Sequence, residues 1–357
     1  MDSSSQASLA LQKKKRRRKI LLYALFIILN IAVIVYTAFL EFSGDHPERI
    51  EAHFGPGNFI FLICGVLALI FALGMETVKY LLMMHSLGEK VSLRDAFQVS
   101  ALGRYYDCIT PSGAGGQPFQ IWFLHTREYS SGGSAAMPLM SFFTMQFGFI
   151  LLAIPIFIFN GGVIENPAIK ISAYVGMTFY SIVPLLLLFF AIAPRAAEKF
   201  VLFFINLGAR IRLVKDKEAT SRKVVGYLTE YRDCLVAMAK KKTLLPLLLL
   251  CSVLYQIALC SLPYFVLGTF SGGVPFIKAL SLCVFVYASV TYIPTPGNSG
   301  AAEGSFYLIF SSLGANSLFW AMLLWRVLCY YSFIVIGIGV YGYNALAGRK
   351  SKKVRVN

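Results

Sequence analysis

Six apolar runs of about twenty residues or more constrain the fold of this chain more than any other feature of its sequence. A helix needs about 20 apolar residues to cross a bilayer, so the runs predict an all-α polytopic membrane protein. The composition agrees, because 14 % of the residues are charged, whereas a soluble domain carries about a quarter. We expect full transmembrane helices at about 20–42, 57–85, 137–160, 171–193, 243–270 and 317–342.

The net charge of +16 is concentrated outside these runs, in basic tails at 1–19 and 346–357 and in one connecting segment. Basic residues collect on the cytoplasmic side of membrane proteins, so the pattern predicts a bacterial cell (inner) membrane protein with both termini in the cytoplasm. Anionic lipid accounts for the excess charge, and no nucleic-acid recognition module is visible. The run at 20–42 is longer than the apolar region of a signal peptide, which indicates a retained first span.

Two glycine-rich breaks interrupt otherwise apolar sequence, one at 110–118 (TPSGAGGQP) and one at 294–303 (PTPGNSGAAE). Each contains Thr-Pro, followed by glycine and a small polar residue. A helix is expected to begin again at an amide (Gln117) in the first break and at an acid (Glu303) in the second. Lipid offers no hydrogen-bond partners, so irregular backbone at membrane depth has to face protein or a wet cavity. We therefore predict that the two breaks line one site.

The segments around the breaks predict two re-entrant helical hairpins that enter from opposite sides. Basic residues flank 96–126 on both sides, so this segment has to cross an even number of times, and two full crossings need about 40 residues. The segment is too short, which favours a hairpin that enters from the cytoplasm and turns at the first break. The second break lies in 275–314, where the first arm, 275–293, is long enough to span and leaves the depth of the break open.

A repeated order of elements predicts internal symmetry within a single transmembrane domain, 20–345. The order span, broken hairpin, span occurs at 57–160 and again at 243–342, and the basic flanks give the two copies opposite orientations. Inverted repeats with broken helices that meet near the middle of the membrane are a recurring design of transporters. Between the copies, 195–242 carries basic residues and phenylalanines at helical spacing, which predicts an amphipathic helix on the inner leaflet.

Four ionisable residues lie at membrane depth in this arrangement: Arg104, Asp107, Glu303 and Arg326. Each would cost about 2.5–3.5 kcal/mol at the centre of a lipid-exposed helix, so they have to face protein, water or one another. One interpretation is that they only pair, Arg104 with Asp107 and Glu303 with Arg326. The other is that both pairs border a cavity in which the arginines meet a phosphate and the carboxylates meet a cation or carry a proton.

The breaks also free backbone N–H groups at the start of the helices that follow them, and helix N-termini attract anions. The alternative is that the side chains of Gln117 and Glu303 only accept hydrogen bonds from N–H groups at the start of their own helices. No catalytic residue is assigned, and the cysteines and histidines support neither a disulfide framework nor a metal site; no cofactor is expected. The candidate lipid head-group site comprises Arg104, Asp107, Gly113, Gly115, Gly116, Gln117, Gly297, Ser299, Gly300, Glu303 and Arg326.

At the two breaks the sequence resembles the transmembrane region of the lysylphosphatidylglycerol synthase/flippase family, which includes the membrane region of the bacterial multiple peptide resistance factor. The matching stretches are 110–120 and 293–306, and the pattern of spans agrees over nearly all of 15–345. The resemblance implies a flippase-like membrane fold that handles anionic or aminoacylated phospholipids, such as lysylphosphatidylglycerol. It also implies a part in lipid metabolism and in resistance to cationic peptide antibiotics.

Two departures from the family bear on function. Many relatives carry Gly-Glu-x-x-Arg where this chain has Gly-Gln-Pro-Phe-Gln at 116–120, so the head-group preference does not carry over. Only a short basic tail follows the last predicted span, so we expect no soluble domain that transfers lysine from charged tRNA. Phosphate-loop, zinc-protease and nucleophile-elbow motifs are missing as well, which leaves a transferase reaction supported by the family name alone.

We therefore expect an integral membrane protein that binds phospholipid or translocates it between leaflets. We expect no nucleic-acid partner, and the sequence leaves open whether the chain forms a homo-oligomer. Three alternatives remain. The chain is a phosphatidylglycerol lysyltransferase or the membrane subunit of one, with charged tRNA as a partner; or it is a non-transporting membrane partner of a lipid enzyme; or it transports a small solute on the same architecture.

Overall fold

The computed structural model describes residues 58–354, without 111, 112, 114, 165, 211–215, 271–273, 291, 292, 294, 296 and 314–317. Over these residues the chain is helical and contains no strand, which confirms the all-α prediction. The predicted first span at 20–42 and the N-terminal basic tail lie outside the described residues.

The described residues form α-helices that we number in chain order. They are α1 Phe59–Ser86, α2 Leu93–Ile109, α3 Gly116–Thr126, α4 Ser131–Phe159, α5 Pro167–Ile192, α6 Pro194–Arg210, α7 Lys217–Ala239, α8 Leu244–Cys260, α9 Leu262–Phe270, α10 Phe276–Val290, α11 Ala301–Phe310, α12 Leu318–Arg326 and α13 Ser332–Val354. Short 3-10 segments follow α4 (Gly161–Val163) and α11 (Ser311–Leu313), and a π-helical segment (Val327–Tyr331) joins α12 to α13.

Five helical stretches within the described residues are long and apolar enough to cross a membrane. They lie at the positions of the second to sixth predicted spans: Phe59–Ser86, Ser131–Phe159, Pro167–Leu186, Leu244–Phe270 and Leu318–Asn344. Large apolar side chains cover their outward surfaces, among them Ile60, Leu67, Ile70, Ile154, Ile158, Val335 and Ile338. Several helices of this length and hydropathy, with apolar side chains exposed on them, are typical of chains solvated by hydrocarbon, so the chain is a multi-pass membrane protein.

Helices α2 and α3 form an antiparallel hairpin that turns at the first glycine break. At the open end of the hairpin, the Arg127 guanidinium after α3 donates to the Gln98 side-chain oxygen in α2, 2.8 Å away. At the closed end, the Gly116 N–H donates to Oδ1 of Asp107 at 3.0 Å. The 11 residues of α3 cover about 16 Å, roughly half the thickness of the hydrocarbon core.

The open end of this hairpin is tied to the last helix. Asn344 in α13 accepts hydrogen bonds through its side-chain oxygen from Gln98 (3.0 Å), Arg127 (3.4 Å) and Arg94 (3.4 Å). Arg127 also pairs with Asp95 at 3.7 Å. The open end of the first hairpin is therefore fixed to α13, and the glycine turn lies at the opposite end of the hairpin.

The second break is flanked by two short helices that pack against each other, α10 and α11. Their 15 and 10 residues cover about 22 Å and 15 Å, less than the hydrocarbon core of about 30 Å. The α10 helix is thus shorter than the arm 275–293 predicted from the sequence. Each break is thus followed by a helix, α3 or α11, that is too short to cross a membrane.

The order span, broken pair, span occurs twice: α1, α2–α3, α4, and then α8–α9, α10–α11, α12–α13. The two sets pack directly on each other, because α8 lies against both α1 and α4. At Gly148 in α4, an added Cβ would lie 2.7 Å from the Ser252 Cβ in α8. This close approach requires a glycine, as is common where membrane helices pack backbone to backbone.

The basic segment at 195–242 forms two helices, α6 and α7, where the sequence predicted one. The helices pack against each other and against α5, and α7 also contacts α4. Phe203 and Phe204 are exposed on α6, so the apolar face expected of an amphipathic helix is present. Residues 211–215 separate the two helices and lie outside the description.

Candidate functional site

A cavity of about 620 Å³ lies between the two glycine breaks. Gly113 and Gln117 of the first break and Gly297 and Asn298 of the second all line it. Binding cavities for small ligands have volumes of about 300–1,000 Å³, so this one has the size of a ligand site. The prediction that both breaks line one site is consistent with this geometry.

Tyr330 connects the end of α2, next to the first break, with the second break. Its hydroxyl donates to the carbonyl oxygen of Cys108, the penultimate residue of α2 and two residues before the first break, at 3.2 Å. Its ring lies so close to Gly297 that a Cβ there would come within 2.1 Å of the ring. Tyr330 belongs to the π-helical segment, and such segments are frequent at functional sites because they re-aim side chains.

Arg326 and Glu303 form a tight buried ion pair behind the second break. Arg326 Nε donates to Glu303 Oε1 at 2.6 Å, and the two side chains are 6 % and 5 % exposed. The other carboxylate oxygen accepts the Gly300 N–H at 2.7 Å, and Arg326 Nη2 reaches the Gly297 carbonyl at 3.2 Å. Glu303 therefore caps its own helix and neutralises Arg326, as the pairing interpretation predicted.

Arg104 and Asp107 form a looser pair that is open to the cavity. Arg104 Nη1 lies 3.6 Å from Asp107 Oδ2, and the side chains are 24 % and 27 % exposed. The guanidinium also stacks over the ring of Tyr255, 4.7 Å from its centroid. Asp107 Oδ1 accepts a hydrogen bond from the Gly116 N–H, so this carboxylate caps the start of α3 in addition to pairing with Arg104.

A third buried pair, Glu76 and Lys79 in α1, was not included in the predicted site. Lys79 Nζ lies 3.2 Å from Glu76 Oε2 and donates to the Ser141 carbonyl at 3.2 Å. The Ser141 hydroxyl donates to Glu76 Oε1 at 2.7 Å, and Glu76 and Ser141 line the cavity. A spacing of three residues is typical of a local salt bridge on one helix, and only the packing of α1 on α4 places this pair at the cavity.

Aromatic side chains form part of the rest of the cavity wall. Phe142, Tyr180, Tyr255 and Tyr287 line it from α4, α5, α8 and α10. Aromatic rings cannot be distinguished from ordinary packing residues in an apolar sequence, and no signal in the sequence marked these four for the site. Their faces can stabilise a bound cation.

Six of the eleven predicted site residues line the cavity: Arg104, Asp107, Gly113, Gln117, Gly297 and Arg326. The other five lie behind this surface or support it. Gly116, Gly300 and Glu303 make the bonds given above, Gly115 N–H bonds the Thr110 hydroxyl (2.9 Å), and the Ser299 carbonyl accepts from the Thr295 hydroxyl (3.0 Å). The N–H groups of Gly115, Gly116 and Gly300 are thus bonded inside the protein, so a phosphate would have to displace a side chain to reach them.

The fold and the cavity together define a multi-pass membrane protein with a charge-lined site between two broken helix pairs. The sequence model of the family described as "Lysylphosphatidylglycerol synthase TM region" matches residues 20–337. This chain belongs to that family. It is also similar to a "UPF0104 membrane protein" from Archaeoglobus fulgidus, with 24 % identity over 340 residues that cover 92 % of this chain and 99 % of the relative.

Proposed function

We propose that this protein binds the polar head group of a phospholipid in the cavity and carries it between the two leaflets. The observation that supports this most is the placement of charged side chains among apolar helices, around a cavity bounded by both breaks. Ionisable residues inside a membrane are costly, and they mark substrate pathways when they border a cavity. A head group could travel through this polar cavity while its acyl chains stay in hydrocarbon.

In this mechanism Arg104 meets the phosphate, because its guanidinium faces the cavity and its carboxylate partner holds it loosely. The two helix pairs rock alternately, so that the cavity opens first to one leaflet and then to the other. Tyr330 contacts Cys108 at the end of α2 and Gly297 of the second break, and it would transmit the movement of one helix pair to the other.

The proposal includes a membrane arrangement. Residues 20–42 provide a sixth full span, and α2–α3 and α10–α11 are re-entrant hairpins that enter from opposite sides as parts of an inverted repeat. Both termini and the helices of 195–242 lie on the cytoplasmic side of the inner membrane. Short helices at membrane depth fit this arrangement, because broken backbone there has to line protein or a water-filled cavity.

The test is lipid transfer by the purified protein in vesicles, followed by chemical quenching of acyl-labelled polar lipids in the outer leaflet. We expect Arg104→Gln to slow transfer about tenfold to a hundredfold, since a hydrogen bond to a charged group is worth about 1.5–3 kcal/mol. Arg94→Gln is the matched control on the same helix, outside the cavity, and should transfer lipid at the wild-type rate. Wild-type rates for Arg104→Gln would remove this residue from the mechanism.

The family description also names a synthase, which makes aminoacyl-lipid formation the second candidate. Purified protein would be incubated with phosphatidylglycerol and lysyl-tRNA and the lipids analysed. Formation of lysylphosphatidylglycerol would favour an enzyme, whereas transfer of lipid without any new lipid species would favour transport.

A further inference from the structure

The charges around the cavity are balanced pair by pair. Each basic side chain that lines the cavity, or lies directly behind its described wall, has its own carboxylate. The pairs are Lys79–Glu76, Arg104–Asp107 and Arg326–Glu303, at 3.2, 3.6 and 2.6 Å. With all six groups ionised, the wall carries no net charge.

The three pairs differ in how firmly they are closed. In Lys79–Glu76 and Arg326–Glu303 no side chain is more than 6 % exposed, and additional hydrogen bonds hold each pair. In the Arg104–Asp107 pair about a quarter of each side chain is exposed, and the 3.6 Å separation exceeds a hydrogen-bond length. A ligand can therefore enter this pair with the least loss of existing bonds.

A charge that moves from water into a cavity between membrane helices loses hydration, and this loss is expensive unless a partner of opposite charge compensates it. A cavity that binds an anionic head group is expected to have one basic side chain without a carboxylate partner, and a cavity that binds a cationic head group one carboxylate without a basic partner. Among the six charged groups around this cavity, the basic side chains and the carboxylates are equal in number. The head group that fits without leaving a charge unpaired is one whose own charges cancel.

We infer that the cavity takes a zwitterionic phospholipid head group, with a phosphate and a primary ammonium, which opens the Arg104–Asp107 pair. The phosphate replaces Asp107 as the partner of Arg104, and the ammonium replaces Arg104 as the partner of Asp107. Tyr180 lies on the same wall, and an aromatic ring can stabilise an ammonium group. This inference rests on the proposed function and narrows its substrate class.

The experiment compares three acyl-labelled lipids in vesicles that contain the full chain: phosphatidylethanolamine (zwitterionic), phosphatidylglycerol (anionic) and lysylphosphatidylglycerol (cationic). We expect phosphatidylethanolamine to be transferred about tenfold faster than either charged lipid. Transfer of either charged lipid at an equal or higher rate would overturn the inference and leave the proposed function intact. If none of the three moves, the proposed function falls and the inference with it.

Two variants test the pair itself through lipid preference. Asp107→Asn keeps an acceptor for the Gly116 N–H but leaves the wall with one surplus positive charge, so the ratio of phosphatidylglycerol to phosphatidylethanolamine transfer should rise about tenfold. Arg104→Gln leaves a surplus negative charge and should raise the ratio for lysylphosphatidylglycerol instead.

The matched control is Asp95→Asn, which removes a carboxylate from an ion pair with Arg127 at the open end of the first hairpin. It should leave both ratios at the wild-type value. Unchanged ratios in Asp107→Asn and Arg104→Gln, or the same change in Asp95→Asn as in Asp107→Asn, would contradict the assignment of this pair.

Discussion

The Glu303→Ala variant is expected to be far less stable than the wild type, with a loss of about 3–5 kcal/mol in the free energy of unfolding. The substitution leaves the buried guanidinium of Arg326 without its 2.6 Å partner. It also removes the acceptor of the Gly300 N–H at the start of α11, and a lost helix cap adds about 1 kcal/mol. Thermal unfolding of the purified protein in detergent measures the effect.

A double variant separates the cost of an unpaired charge from the value of the pair. Glu303→Leu combined with Arg326→Met replaces both charges by apolar groups, a change that is often neutral or stabilising for buried pairs. We expect the double variant to unfold at a higher temperature than Glu303→Ala. Equal stability of Glu303→Ala and the wild type would mean that the two side chains are not paired as described.

The Gly297→Ala variant is expected to lose most lipid transfer because it disturbs the contact between the two breaks. Gly297 has a φ of +57°, a conformation that costs a residue with a side chain about 1–3 kcal/mol. The new Cβ would also lie 2.1 Å from the Tyr330 ring, and overpacking of this kind costs about 1–3 kcal/mol more. The ring has to move, and with it the hydroxyl that bonds the first hairpin at Cys108.

Gly304→Ala is the matched control for this substitution. Gly304 lies in α11, and an added Cβ meets nothing within 4 Å. Alanine is favoured over glycine within a helix by about 0.5–1 kcal/mol, so this variant should be at least as stable as the wild type and should keep the wild-type transfer rate. Equal transfer rates for Gly297→Ala and Gly304→Ala would show that the Tyr330 contact is dispensable.

The helices, and the class of membrane protein, could be predicted from the sequence because apolar run length is a local property. The same holds for the ion pairs: Asp107 lies one turn from Arg104, and the cost of burying a charge made a partner for Arg326 necessary. The breaks at 110–118 and 294–303 were visible because glycine and proline interrupt apolar sequence.

The parts of the site that depend on distant contacts could not be predicted. Tyr330 looks like any aromatic residue of a span, and only the folded chain brings it between Gly297 and Cys108. The pair Glu76–Lys79 reads as a local salt bridge until α4 brings Ser141 against it. Two N–H groups expected to be free at the helix starts are bonded to carboxylates. Asp107, three residues before the first break, accepts the Gly116 N–H, and Glu303, the last residue of the second break, accepts the Gly300 N–H.

The most direct test of the account is whether the two breaks share one sheltered cavity that receives a head group. Gln117→Cys and Asn298→Cys place one thiol on each break, in a background without native cysteines, and a membrane-impermeant thiol reagent probes their accessibility. We expect both thiols to react slowly, and soluble glycerophosphoethanolamine to slow both reactions in parallel. Rapid reaction of both thiols from the same aqueous side, with no protection of either thiol by glycerophosphoethanolamine, would contradict the shared cavity.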